Sequence, residues 1–66
     1  MELIINGEKI TTKDNIILLD LLKEKNLEGK VMAAAVNMDI VKQVDWDSFK
    51  LKDGDKLELL DFVGGG

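Results

Sequence analysis

The dipeptide Asn6-Gly7 places the first firm constraint on this chain. It is preceded by the apolar, β-branched run Leu3-Ile4-Ile5 and followed by Glu8-Lys9-Ile10-Thr11-Thr12. Asn and Gly both tolerate the positive φ that a type I′ turn requires at its two central positions, and such a turn matches the twist of the strands it joins. An antiparallel hairpin over roughly residues 2–12 is therefore predicted, with Ile10 on one face of its second strand and Lys9 and Thr11 on the other.

The pattern changes at Lys13-Asp14-Asn15. Asp14 or Asn15 is suited to cap a helix, because its side-chain oxygen can accept from an orphan amide of the first turn. Leu18, Leu21, Leu22 and Lys25 then fall at helical spacing, which predicts a helix over about 15–26 with its three leucines facing a sheet. Asn26 or Gly29 supplies a left-handed stop. Val31 to Val36 carries three alanines, which favour helix by propensity. Its shortness, the flanking Gly29 and Asn37 and the valine at each end favour a buried strand, whose small residues would let a helix lie close. A turn at Asn37-Met38-Asp39 leads to a very short strand, Ile40-Val41. Asp45 to Phe49 reads as one helical turn that lowers Trp46 and Phe49 onto the core. Lys52-Asp53-Gly54-Asp55 is a turn, and Lys56 to Phe62 the last strand. A hairpin, one helix and further strands imply an α+β fold, a single mixed sheet with the helix across one face. The last strand can lie parallel to the first in such a sheet, although periodicity does not establish that pairing.

A chain of 66 residues is one domain with one small core, since a domain of this size buries only about 60% of its unfolded surface. There is no cysteine and no histidine, which removes disulfides, thiolate metal sites, a thiol nucleophile and the commonest general base. The net charge of −4 argues against nucleic acid and anionic membranes as partners and permits a basic protein surface. The N-terminal residues lack the pattern of a signal peptide, and no apolar run approaches the ~20 residues that span a bilayer, so the cytoplasm is the expected location. Asp45, Asp47, Asp53 and Asp55 lack the ligand series of a calcium loop and read as solvated turn residues. None of the lysines has a neighbouring base that would nominate it as catalytic.

The end of the chain, Phe62-Val63-Gly64-Gly65-Gly66, has no side chains to pack after Val63. Glycine lacks a Cβ and lets a backbone pass through a narrow channel, so the reactive group this end presents is the Gly66 carboxylate. In the strand before it, Leu57 and Leu59 alternate with Leu60 and Phe62. If the first pair points under the helix, Leu60 and Phe62 point to the open sheet face, joined by Ile4 if the first and last strands are neighbours. That face would be an apolar docking patch.

These features together resemble the ThiS/MoaD-type sulfur carriers of the ubiquitin-like β-grasp family, and within them the ThiS branch of thiamin thiazole biosynthesis. The matching stretches are Ile5-Asn6-Gly7-Glu8, Ala35-Val36-Asn37, Ile40-Val41 with Trp46 following, Asp53-Gly54-Asp55 and Phe62-Val63-Gly64-Gly65-Gly66. The charged run through 23–30 departs from the pattern and is read as neutral. The resemblance implies a β-grasp domain over 1–62, with a sheet of about five strands, and a flexible tail over 63–66. It also implies a protein cosubstrate rather than an enzyme, without a cofactor of its own. An E1-like ThiF-type adenylyltransferase would activate the Gly66 carboxylate with ATP. A cysteine-derived persulfide, supplied indirectly by a cysteine desulfurase, would convert it to a thiocarboxylate for thiazole synthase ThiG. Gly66 would be the reacting residue, and Gly64, Gly65, Val63, Phe62, Leu60 and Ile4 would contact partners. Other readings are a carrier for molybdopterin synthase, tRNA thiolation or cysteine synthesis, a ubiquitin-like modifier, and a β-grasp interaction module with an inert tail.

Overall fold

The computed structural model describes residues 1–61. Strands β1 (Glu2–Ile5) and β2 (Glu8–Thr11) form the antiparallel hairpin, paired Leu3 with Ile10 and Ile5 with Glu8. Asn6 and Gly7 take φ values of 49° and 86°, the two positive values that the turn demands. Helix α1 (Leu18–Glu24) follows, then β3 (Val31–Val36), β4 (Asp39–Val41), a 3₁₀ turn at Gln43–Asp45 and β5 (Lys56–Asp61). The five strands form one sheet in the order β2-β1-β5-β3-β4. The last strand is thus the central one, parallel to β1 and antiparallel to β3. This is the mixed sheet and single helix expected of a β-grasp domain.

Leu18, Leu21 and Leu22 are fully buried, as their spacing predicts, and they share the core with Leu3, Ile16, Leu51 and Leu57. Each such side chain contributes on the order of 1.5–3 kcal/mol by leaving water. The alanine run is a strand, but only Ala34 is fully buried, whereas Ala33 and Ala35 are half-buried on the opposite side of the pleat.

The helix is shorter than the predicted 15–26, and neither Asp14 nor Asn15 caps it. Asn15 takes a left-handed turn at φ 57°, and the Asp14 carboxylate accepts from the ammonium of Met1 at 3.1 Å. The first helical amides are satisfied from elsewhere: Leu18 N–H donates to the Phe49 carbonyl at 2.8 Å and Leu19 N–H to the Trp46 carbonyl at 3.0 Å. A distant loop therefore replaces a local cap for these orphan donors. The other end follows local rules. Asn26, at φ 57°, lets its own N–H reach Lys23 O (3.1 Å) and Leu27 N–H reach Leu22 O (2.7 Å), the paired bonds of a Schellman stop.

The helical turn predicted at 45–49 lies earlier, at Gln43–Asp45. Trp46 is buried and donates its indole N–H to the Val41 carbonyl at 2.8 Å, while Phe49 is only half-buried. Asp55 also differs from expectation. It is 9% exposed, not solvated, and its carboxylate accepts from Lys52 N–H (2.8 Å) and from Asn37 Nδ2 (2.9 Å). A short polar turn thus becomes a fixed corner that also binds β1: Glu2 N–H donates to Asp53 Oδ1 at 2.7 Å, and Gly54 N–H to Glu2 O at 2.7 Å.

Replacing Asp55 with Ala leaves two donors without their acceptor and should lower the unfolding free energy by about 1–3 kcal/mol. Asp47→Ala, at an exposed position, should stay within about 0.5 kcal/mol of the parent. Urea titrations of the two variants check the ranking, and equal effects would mean that the Asp55 bonds contribute nothing net.

Candidate functional site

Phe62, Val63, Gly64, Gly65 and Gly66 lie outside the described residues, so the site is built from the strand that feeds them. The outgoing end of β5 is held on both edges. On the β3 side Leu60 pairs with Ala33 and Asp61 with Val31, and the extra residue between these pairs, Met32, forms a bulge. On the other side β1 ends at Ile5, opposite Leu57. Asn6 then takes over. Its backbone N–H donates to Leu57 O at 2.9 Å. Its carboxamide oxygen accepts from Leu59 N–H at 2.9 Å, and its Nδ2 donates to Leu59 O at 3.3 Å. The side chain behaves as one more residue of strand.

Alternation along β5 separates its two faces. Leu57 and Leu59 enter the core, at 1% and 8% exposure, while Glu58 and Leu60 face outward, Leu60 at 52%. Ala33 opposite Leu60, and Ala35 between Glu58 and Ile40, keep the outer face low. The result is a shallow apolar hollow with Leu60 and Ile40 as its walls and Asn6 and Glu58 among its lining. Ile40 is 72% exposed. Ile4 is half-buried and pairs with Lys56, which places it on this face but four residues up β5 from Leu60, about 13 Å at ~3.3 Å per residue. It does not line the hollow.

Ile40, Ala33, Ala35 and Asn6 were not singled out as site residues from the sequence. The alternation of exposed Ile40 with buried Val41 carries a signal, but it becomes readable only once β4 is paired with β3. Among the described residues no group of three carboxylates gathers that could hold a metal ion, and no helix is long and apolar enough to cross a membrane. A hollow of small and branched apolar side chains, with an amide and a carboxylate beside it, is equipped to bind a surface.

The two leucines at the strand's end should respond oppositely to charge. Leu60→Asp should change the unfolding free energy by less than about 1 kcal/mol, whereas Leu59→Asp buries an unpaired carboxylate and should cost more than about 3 kcal/mol. Denaturant melts of both variants test the assignment of faces, and a large loss in Leu60→Asp would place that residue in the core.

A model of the ThiS family matches residues 2–66. The chain is 34% identical over 63 residues to the sulfur carrier protein ThiS of Bacillus subtilis, covering 94% of this chain and 96% of that protein. It is 35% identical over 66 residues to a thiazole synthase of Paramagnetospirillum magneticum, where all of this chain corresponds to 20% of the relative, so that it spans about a fifth of that protein's length. The crystal structure of the thiamine biosynthesis protein ThiS from Geobacter metallireducens superposes with a TM-score of 0.84 at 28% identity, with both chains covered completely. The five-stranded sheet, the helix and the matched span agree: the chain belongs to the ThiS family.

Proposed function

We propose that this protein is a cytoplasmic sulfur carrier of thiamin thiazole biosynthesis, acting through the carboxylate of Gly66 rather than as an enzyme. The observation that carries the proposal is that the family match extends through residue 66 and so includes the whole glycine run. The composition supports it, because a chain without histidine or cysteine offers little competing chemistry.

A carboxylate is a poor electrophile until one oxygen becomes part of a good leaving group. In the proposed sequence a Gly66 oxygen attacks the α-phosphorus of ATP on a ThiF-type adenylyltransferase, and pyrophosphate leaves. The terminal sulfur of a cysteine-derived persulfide then attacks the acyl carbon, and AMP leaves. Cleavage of the resulting acyl disulfide by a second thiol frees the Gly66 thiocarboxylate. Both thiols must come from partners, since this chain has none. Thiazole synthase ThiG is the proposed acceptor, a choice supported by the similar stretch within a longer protein of that name. Val63 to Gly66, fully extended, would reach ~13 Å into each active site. Phe62, Leu60 and the hollow beside Ile40 would hold the partner, with Ile4 at the far end of the same face.

Incubation with ATP, an active ThiF-type enzyme and a sulfur donor should give the mass change of one oxygen-to-sulfur exchange at the C-terminus. An unchanged intact mass, with an enzyme shown to be active on another carrier, would overturn the proposal, and isopeptide adducts on other proteins would replace it with a modifier role. Deleting Gly65 and Gly66 should abolish sulfur acceptance with little change in the melting transition. Phe62→Asp should weaken partner binding more than folding, as read by titration calorimetry beside a thermal melt.

A further inference from the structure

Two asparagines grip β5 from outside. Asn37, in the turn between β3 and β4 at φ 51°, accepts from Lys56 N–H through Oδ1 at 3.0 Å and donates from Nδ2 to Asp55 at 2.9 Å. Asn6 does the corresponding thing at the other end, on both polar groups of Leu59. The two grips differ in what lies beyond them. Past Lys56 the strand continues into the sheet, whereas past Leu59 only Leu60 and Asp61 separate the grip from the tail.

We propose that Asn6 is a positioning residue for the carrier reaction: its carboxamide continues β1 beyond Ile5 and thereby fixes the direction in which the tail leaves the sheet. The role rests on the reading of Gly66 as the reacting end. Without the carboxamide, pairing on the β1 edge of β5 stops at Leu57, where the Asn6 backbone N–H remains. The strand's last residues are then held from the β3 side alone, next to the bulge at Met32. A loosened exit enlarges the set of tail directions, and a partner that accepts only one of them meets a smaller competent fraction. The defect is one of docking, so it raises the apparent KM for the carrier. A tail already threaded into the active site reacts as before, so kcat is preserved.

Positive φ at Asn6 and Asn37 makes glycine a clean replacement, because it keeps each turn and deletes only the carboxamide. In Asn6→Gly the Leu59 amide should exchange with solvent about fivefold to tenfold faster, read by NMR under conditions where the domain stays folded. With a ThiF-type enzyme, ATP–pyrophosphate exchange should show KM for the carrier raised about threefold or more at unchanged kcat. Asn37→Gly removes a similar grip at the other end of the same strand, and its KM should remain within about twofold of the parent. A purely structural role predicts that the two variants move together in proportion to their loss of stability, and that result would overturn the proposal. So would an unaltered KM, or unaltered Leu59 exchange, in Asn6→Gly. If Asn6→Gly does not fold, Asn6→Asp, which keeps the acceptor and loses the donor to Leu59 O, carries the same measurements. A parent chain that is not adenylated at all would overturn the carrier reading, and this role with it. An active parent with an unaffected Asn6→Gly would overturn the positioning role alone.

Discussion

The parallel pairing of β1 with β5 is the contact on which the rest of the molecule depends. It joins Ile4 to Lys56 and Ile5 to Leu57 and puts the last strand in the middle of the sheet. The helix, β3 and β4 lie in the chain between those partners, so this pairing closes a long loop and must overcome its closure entropy. Closure is reinforced at both ends by side chains acting as backbone, Asn37 at Lys56 and Asn6 at Leu59. The turn holding Asp53 and Asp55 adds bonds to Glu2 and Lys52. A domain of this size has little core to spare, and these polar contacts lie at the strand that the core surrounds.

Placing the tail-bearing strand in the centre has a functional consequence. An edge strand could fray together with its tail, whereas β5 has neighbours on both sides almost to its end. Strict alternation then lets one strand serve two purposes. Leu57 and Leu59 stabilise the core, while Leu60 and Glu58 face outward beside Ile40 and the two half-buried alanines. Chemistry at the tail, docking at the outer face and stability at the inner face are thereby carried by neighbouring residues that need not interfere.

Much of this was legible from local patterns. The Asn6-Gly7 hairpin, the buried faces of α1 and β5, the stop at Asn26 and the Asp53-Gly54 turn all follow from spacing or from residues that accept positive φ. The departures share one cause. The start of α1 was assigned to Asp14 and Asn15 because they are adjacent in sequence, yet its amides are satisfied by Trp46 and Phe49 carbonyls from a loop far along the chain. Asp55 looked like a solvated turn residue because its acceptor role depends on Asn37 arriving beside it. The alanine run was read as space for the helix, but the pleat gives only Ala34 to the fully buried interior and leaves Ala33 and Ala35 to the outer hollow.

The amino-acid sequence by itself determined where the chain turns, which residues of the last strand are apolar on each face, and that the chain ends in glycines. Those properties depend on φ preferences and on a repeat of two or of 3.6 residues, which neighbours in sequence express. Only the tertiary structure decided what stands beside the outgoing strand. It brought Asn6 to Leu59 across 53 residues, set Ile40 rather than Ile4 in the hollow with Leu60, and turned Asp55 inward. No local period encodes such meetings, because each depends on how separately formed elements share one core.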